Sequence, residues 1–298
     1  DKSGKTVSLS DVMRLVHPKP KDKEQSELWG RLLKKELATP QTWEVGLSAA
    51  KCMDEKRKVW VDLIESGKLP AFALLKNLRN MISVDVPKKL MIEAFERANP
   101  AMLLPVNFYT AKSYAPDYAL HIEKLMYRCV SQYPKLPGST IMVIDTSGSM
   151  NASISQFSEF SRIDVGIAMA SLAVEICDDV SIYITAGSDM DRTHATLKIE
   201  PCRGFALFDR IKKEQSKIGN GGIFTKQCLD YIRTQETEDP DRIIVFSDSQ
   251  DCDAHSNKLP KPFGKKNYII DVSAHKHGVN YKGVWTTEIS GWSEHFLK

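Results

Sequence analysis

Apolar and polar residues follow two different periods along this 298-residue chain. In the first half, apolar positions recur every three to four residues, the spacing of one helix face. Leu28, Trp29, Leu32, Leu33 and Leu37 mark a helix over 24–37. The same spacing predicts helices over 10–16, 58–64, 71–82, 87–98, 110–114 and 118–133, and another carrying Trp43, Leu47 and Ala50. Ser10 followed by Asp11 reads as the start of the first helix. His17-Pro18-Lys19-Pro20 reads as its stop, because proline disfavours helix before it. Thr39-Pro40 reads as an N-cap with proline at the first helical position. Seven or eight short helices with brief loops predict a helical-repeat array, although no exact sequence period is visible.

The second half switches period. Residues 139–145 form a continuous apolar run ending in Asp145, and 242–248 form another ending in Ser247-Asp248. Such runs suit strands buried on both faces of a parallel sheet. Further strands are predicted at 180–185, 268–272 and 284–289, with a short edge strand at 195–199. Helices are predicted at 161–177 (strongly amphipathic), 205–218 and 225–234. Strands alternating with helices imply a doubly wound parallel α/β sheet. The expected fold is thus a helical-repeat array over 1–137 followed by a Rossmann-like α/β domain over 138–298. Ligands of such sheets sit beyond the carboxyl ends of the strands, where Asp145 and Asp248 both fall.

Composition narrows the class. Apolar residues make up 42% and charged residues 27%, which excludes disordered, collagenous and coiled-coil chains. No apolar run is long enough to span a membrane, and DKSGKTVSLS has no signal-peptide core. Six scattered cysteines without a CxxC pair suggest reduced thiols in a cytoplasmic protein and argue against zinc. Charge is uneven: residues 1–137 hold 23 Lys/Arg and 16 Asp/Glu, whereas 138–298 hold 18 and 22. A basic half (+7) joined to an acidic half (−4) suggests two different partners. Chance scatter of solvated charges is the alternative, since +7 over such a length is modest.

Asp145-Thr146-Ser147-Gly148-Ser149 presents one carboxylate and two hydroxyls at alternate positions. A loop leaving a strand can turn all three oxygens to one point. Hard oxygen ligands with few charges suit Mg²⁺. Asp248 would approach from the neighbouring strand end and Thr225 from a third loop. The competing reading is a polar strand-to-helix turn with Ser147 and Ser149 as caps. Ile218-Gly-Asn-Gly-Gly222 lacks the Gly-Lys-Ser/Thr of a phosphate loop. Asp251 and Asp253 read as acidic loop residues near the metal, and His275 and His277 as a surface loop.

Asp145, Ser147, Ser149 and the Ser247-Asp248 strand end resemble the von Willebrand factor A domain. That resemblance implies a metal-ion-dependent adhesion site holding Mg²⁺ or another divalent cation, open to an acidic side chain of a protein partner. Related domains read Gly-Gly-Thr where this chain has Gly221-Gly222-Ile223-Phe224-Thr225, so Thr225 is the least certain match. In the helical half, Arg14-Leu-Val-His-Pro-Lys-Pro20, residues 67–80 and the stretch from Leu103-Leu-Pro105 to Tyr114 resemble the Ro ribonucleoprotein autoantigen family, with its TROVE module. The family pairs a ring of helical repeats with an A domain and binds small structured RNAs such as Y RNAs. Residues 1–137 are too few for such a ring, so either the chain is a fragment or cleaved product, or a second helical chain or self-association completes the ring.

Within that resemblance Arg14 and His17 match motif positions linked to RNA contact, and Lys19 follows them. Lys76, Asn77, Arg79 and Asn80 lie on one helix, with 76 and 80 on a shared face. Two roles are open for them: lining an inner ring surface that grips a single strand, or hydrogen bonding between helices. The expected function is a non-catalytic RNA-binding scaffold. The alternative is a metal-dependent protein-interaction module without RNA. A metal hydrolase is disfavoured, because it needs a general base beside the metal-bound water, and Asp248 is already assigned as a ligand.

Overall fold

The computed structural model describes residues 7–37, 42–101, 103, 105–154, 160–253, 260–273 and 283–291. Thr39-Pro40, Leu104, His275 and His277 lie outside the described residues. The chain divides into two compact units, 1–59 and 60–298. The change of secondary-structure period, by contrast, falls near residue 137.

The first unit holds α1 (Leu9–Val16), α2 (Lys23–Lys34), α3 (Trp43–Ala49) and the first half of α4 (Met53–Glu65). The N-cap of α1 is Ser8 rather than the expected Ser10. Ser8 and Asp11 form a reciprocal capping box, each side chain accepting the other's backbone N–H, and this two-bond arrangement outcompetes a start at Ser10. At its other end His17 takes a left-handed conformation (φ 46°), and its N–H donates to the Met13 carbonyl. Pro18 then prevents continuation.

The second unit continues with α5 (Ala71–Ser83), α6 (Lys88–Arg97), α7 (Pro105–Tyr114) and α8 (Ala119–Val130). The α/β part follows as β1 (Leu136–Asp145), α9 (Arg162–Ile176), β2 (Cys177–Ser188), β3 (Thr193–Ile199), α10 (Gly204–Glu214), α11 (Thr225–Gln235), β4 (Arg242–Ser247), β5 (Lys266–Asp271) and β6 (Thr287–Ser290). The sheet order is β3-β2-β1-β4-β5-β6. All neighbours are parallel except the edge pair β2–β3. Strand β1 sits centrally, so both its faces are buried, which is what its unbroken apolar run requires. Ile141 and Val143 face a core with Leu229 and Ile232 of α11. On the other side Gly166 of α9 lies against Ile144 and Phe246.

Helix α9 departs from its expected amphipathic character. Twelve of its fifteen residues are buried, including Asp164's neighbours Ile163 and Val165 and the far-face residues Ala170 and Ala173. The reason is that α7 and α8 pack across α9 and α10 and cover what would be a solvent face. Tyr109 of α7 stacks on Phe208 at 4.7 Å and meets Phe205 edge-on at 5.1 Å. The Glu123 carboxylate of α8 accepts the Phe205 N–H at 2.8 Å, satisfying an orphan donor at the start of α10. The last helices of the array and the sheet thus share one core.

Candidate functional site

The register of the sheet sets the site. Ile144 pairs with Phe246, so Asp145 at the end of β1 stands beside Ser247 at the end of β4. Asp145 is fully buried. One of its oxygens accepts the Ser147 N–H at 2.8 Å and the other accepts the Ser247 hydroxyl at 2.7 Å. All of these donors are neutral. Burial pushes the Asp145 carboxyl up to about 7, against the hydrogen bonds from Ser147 and Ser247 that hold it down.

The loop after β1 is held from both sides. The Thr146 N–H and hydroxyl both donate to the Thr185 carbonyl of β2, at 2.8 and 3.1 Å. Ser147 Oγ and Ser149 Oγ lie 3.2 Å apart. Gly148 donates its N–H to the Gly221 carbonyl, and a Cβ at Gly148 would sit 2.7 Å from the Asn220 carbonyl. The glycine-rich stretch 219–222 is therefore a close-fitting wall of this loop, consistent with its lack of a phosphate-loop lysine. Thr146, Asn151, Gln215, Ser216, Gly219 and Asn220 line an adjoining cavity of about 280 Å³.

Asp248 is equally buried, and its partner is a residue that no sequence motif singled out. Arg162 donates to Asp248 Oδ2 at 2.8 Å, while Asp248 Oδ1 is buried without a hydrogen-bond partner. Arg162 also approaches the Ser149 carbonyl at 3.5 Å. It occupies the first turn of α9, where the helix dipole disfavours a cation. That misplacement was a signal available in the sequence, since Ser161-Arg162-Ile163-Asp164 reads as a capping box.

Thr225 is buried at the start of α11 and its N–H donates to Asp251 Oδ1 at 3.2 Å. Asp253 accepts the Gln227 N–H at 3.1 Å. Asp251 and Asp253, expected as acids near a metal, act as caps supplied from another loop, because the residue preceding α11 is Phe224 and makes no side-chain cap. One turn into α11, the Cys228 thiol is pushed up to about 11, chiefly by burial, with Asp145 and Asp251 adding to the rise.

This donor set fits a divalent cation. Asp145 is a buried carboxylate supported only by neutral donors, Asp248 has an unused oxygen, and two hydroxyls stand together beside them. Among the described residues no three His, Cys, Asp or Glu side chains gather as a metal site. Two carboxylates with hydroxyls are a hard-oxygen set of another kind.

The helical candidates fall in different places. Arg14, His17 and Lys19 are exposed on the first unit, at the end of α1 and the loop after it. Lys76 and Arg79 are exposed on α5 of the second unit. Asn77 is buried, donating to the Ala73 carbonyl at 3.0 Å and accepting from Asn80 at 3.1 Å. Of the two roles open to that group, Asn77 and Asn80 make hydrogen bonds within their own helix, and the two cations face solvent.

Residues 13–131 match the family model of the TROVE domain. The helical part of the chain is thus similar to the TROVE domain. The crystal structure of the Deinococcus radiodurans Ro (RSR) protein is similar over 96% of this chain and 68% of that one, with a TM-score of 0.58 and 15% identity. That likeness shows the fold: a helical part followed by an α/β sheet. A minor pilin, PilB of Streptococcus sanguinis, matches at a TM-score of 0.37 and 13% identity, over 56% of this chain and 59% of its own. Among the described residues no helix is long and apolar enough to cross a membrane.

Proposed function

We propose that this chain is a non-catalytic, cytoplasmic component of a ribonucleoprotein that binds small structured RNA of the Y-RNA kind through its TROVE domain. The TROVE match over residues 13–131 carries the reading. The exposed Arg14, His17 and Lys19 supply charge for phosphates and an imidazole that hydrogen-bonds or stacks. The acidic α/β part holds Mg²⁺ or a similar divalent cation through Asp145, Ser147 and Ser149, with Asp248 and Thr225 at its margin. Such an ion supplies an electrophilic position for an acidic side chain of a protein partner, and the cavity beside it gives room for that side chain's neighbours. A helical partner chain, or a second copy, covers the apolar stripe of α1, where Leu9, Leu15 and Val16 are more than half exposed.

Filter binding of a small hairpin RNA at two salt concentrations tests the reading. Arg14→Ala/His17→Ala should weaken binding by about 1–3 kcal/mol and flatten the salt dependence. Asp145→Asn should leave RNA affinity unchanged. Loss of binding in the Asp145 variant with retention in the double variant would reverse the division of labour. Light scattering of the purified chain tests the partner: a monodisperse 33.5 kDa monomer that binds RNA tightly counts against it.

A further inference from the structure

We propose that the cavity beside the Asp145–Ser149 loop is a guanidinium site. It takes an arginine from the same partner segment whose acidic side chain reaches the metal. The site rests on the reading of a metal-dependent protein partner and adds a second residue that this partner must carry.

Six uncharged residues line this cavity of about 280 Å³: Thr146, Asn151, Gln215, Ser216, Gly219 and Asn220. Their donors are largely spent on the protein itself. The Thr146 hydroxyl donates to the Thr185 carbonyl at 3.1 Å, and the Ser216 hydroxyl donates to the Lys213 carbonyl at 2.9 Å. The Asn151 amide donates to Asn220 Oδ1 at 2.8 Å and to the Gly148 carbonyl at 3.4 Å. What these groups still offer a ligand is lone pairs. Gln215 adds another acceptor, because its Oε1 is buried without a hydrogen-bond partner among the described residues. A buried orphan acceptor carries a cost that a donor removes. Turning that oxygen toward the cavity breaks no hydrogen bond of its own.

The local field has the matching sign. Gln215 and Ser216 directly follow α10, whose carboxyl end is the negative pole of its dipole and favours a cation. Two lysines at that end are already engaged, Lys212 with Asp164 at 2.9 Å and Lys217 with Glu214 at 2.5 Å. An anion in the cavity would meet lone pairs and the wrong end of the helix. A guanidinium brings five donors in one plane and no acceptor, which suits several acceptors spread around one space. The walls are set before any ligand arrives. Gly148 donates its N–H to the Gly221 carbonyl at 3.2 Å, and Gly221 donates to the Gly187 carbonyl at 3.1 Å. Gly219, at φ 86°, makes a turn that other residues rarely adopt. Thr146 and Asn151 flank Ser147 and Ser149 in the chain, so one short segment can bring a carboxylate to the metal and a guanidinium to the cavity.

The test uses the full chain and two kinds of probe. Acetyl-arginine amide, titrated by nuclear magnetic resonance, should shift the backbone amides of residues 215–220 saturably, and the uncharged isostere acetyl-citrulline amide should not. Peptides acetyl-Asp-(Gly)n-Arg-amide, with n from 0 to 3, are then compared by calorimetry in Mg²⁺ with the same peptides carrying citrulline for arginine. The best arginine peptide should bind about 10- to 150-fold more tightly than its citrulline counterpart, the equivalent of a charge-assisted hydrogen bond. Gln215→Leu should erase that advantage, and Gln215→Glu should increase it about 2- to 10-fold, because charge assistance roughly doubles a hydrogen bond. Acetyl-arginine amide that leaves residues 215–220 unshifted overturns the guanidinium site. So does an equal affinity of arginine and citrulline peptides at every n, or an arginine advantage that survives in a Gln215→Leu chain of unchanged melting. Saturable shifts from acetyl-arginine amide, with no Mg²⁺-dependent binding of any aspartate peptide, overturn the metal–carboxylate reading and leave the guanidinium site standing.

Discussion

Replacing Arg162 by glutamine removes the cation paired with Asp248 at the proposed metal loops. The Asp248 side chain has no exposed surface and that of Arg162 retains 13%. Removing one partner of a buried pair costs about 3–5 kcal/mol, because the other charge is left without compensation. The partial exposure of Arg162 favours the lower end. At about 2–4 °C per kcal/mol for a unit of this size, the melting temperature should fall by roughly 6–12 °C. Scanning calorimetry in EDTA reads this directly. Excess Mg²⁺ should then recover much of the loss, since the dication supplies the charge that Asp145 and Asp248 lack. A ligand at a hundred times its Kd contributes about 2.7 kcal/mol. The wild type should gain less from Mg²⁺ than Arg162→Gln, because its guanidinium already engages Asp248 and must share it. Arg162→Gln melting within about 1 °C of wild type in EDTA would remove the ion pair from the account. Equal Mg²⁺ stabilisation of both proteins would show that arginine and metal do not compete.

Asp145→Asn keeps the shape of the site but removes its charge, so Mg²⁺-dependent melting should disappear; retention of a Mg²⁺ shift in thermal denaturation would place the ion elsewhere. Gly187→Ala should destabilise by about 1–3 kcal/mol through overpacking, since its Cβ would sit 2.5 Å from the Phe224 ring and 2.6 Å from the Thr193 carbonyl; urea denaturation measures it, and a neutral result would mean the Phe224–Thr225 turn is free to move. Burial raises the Cys228 thiol from its ordinary 9.0 to about 11, so the unfolded chain loses that proton first. Its contribution is therefore present in full below pH 9 and lost as pH rises through 11, roughly 2–3 kcal/mol in all. Melting of Cys228→Ala should fall less steeply than wild type across that window, and parallel slopes would assign the alkaline loss to other groups.

The local features of this protein are written in its residue order. Its change of period marks the helical array and the sheet, because burial on one helix face and burial on both strand faces leave different patterns. The Asp145–Ser149 loop is legible because its three oxygens lie within five residues of an apolar strand. The exposed cations of α5 follow from helical spacing, but Asn77 is separated from them only by its burial. Elsewhere the deciding contacts join residues far apart in the chain. Arg162 reaches Asp248 across 86 positions, and Ser247 reaches Asp145 across 102, because β1 and β4 are neighbours in the sheet although α9, α10 and α11 lie between them in sequence. The burial of α9 on all sides depends on α7 and α8 packing over it. Asp251 and Asp253 become helix caps because the loop after β4 folds back onto α11. Periodicity reports which face of an element is buried, whereas the identity of what buries it is set by strand order and helix packing, and these exist only once the chain has folded.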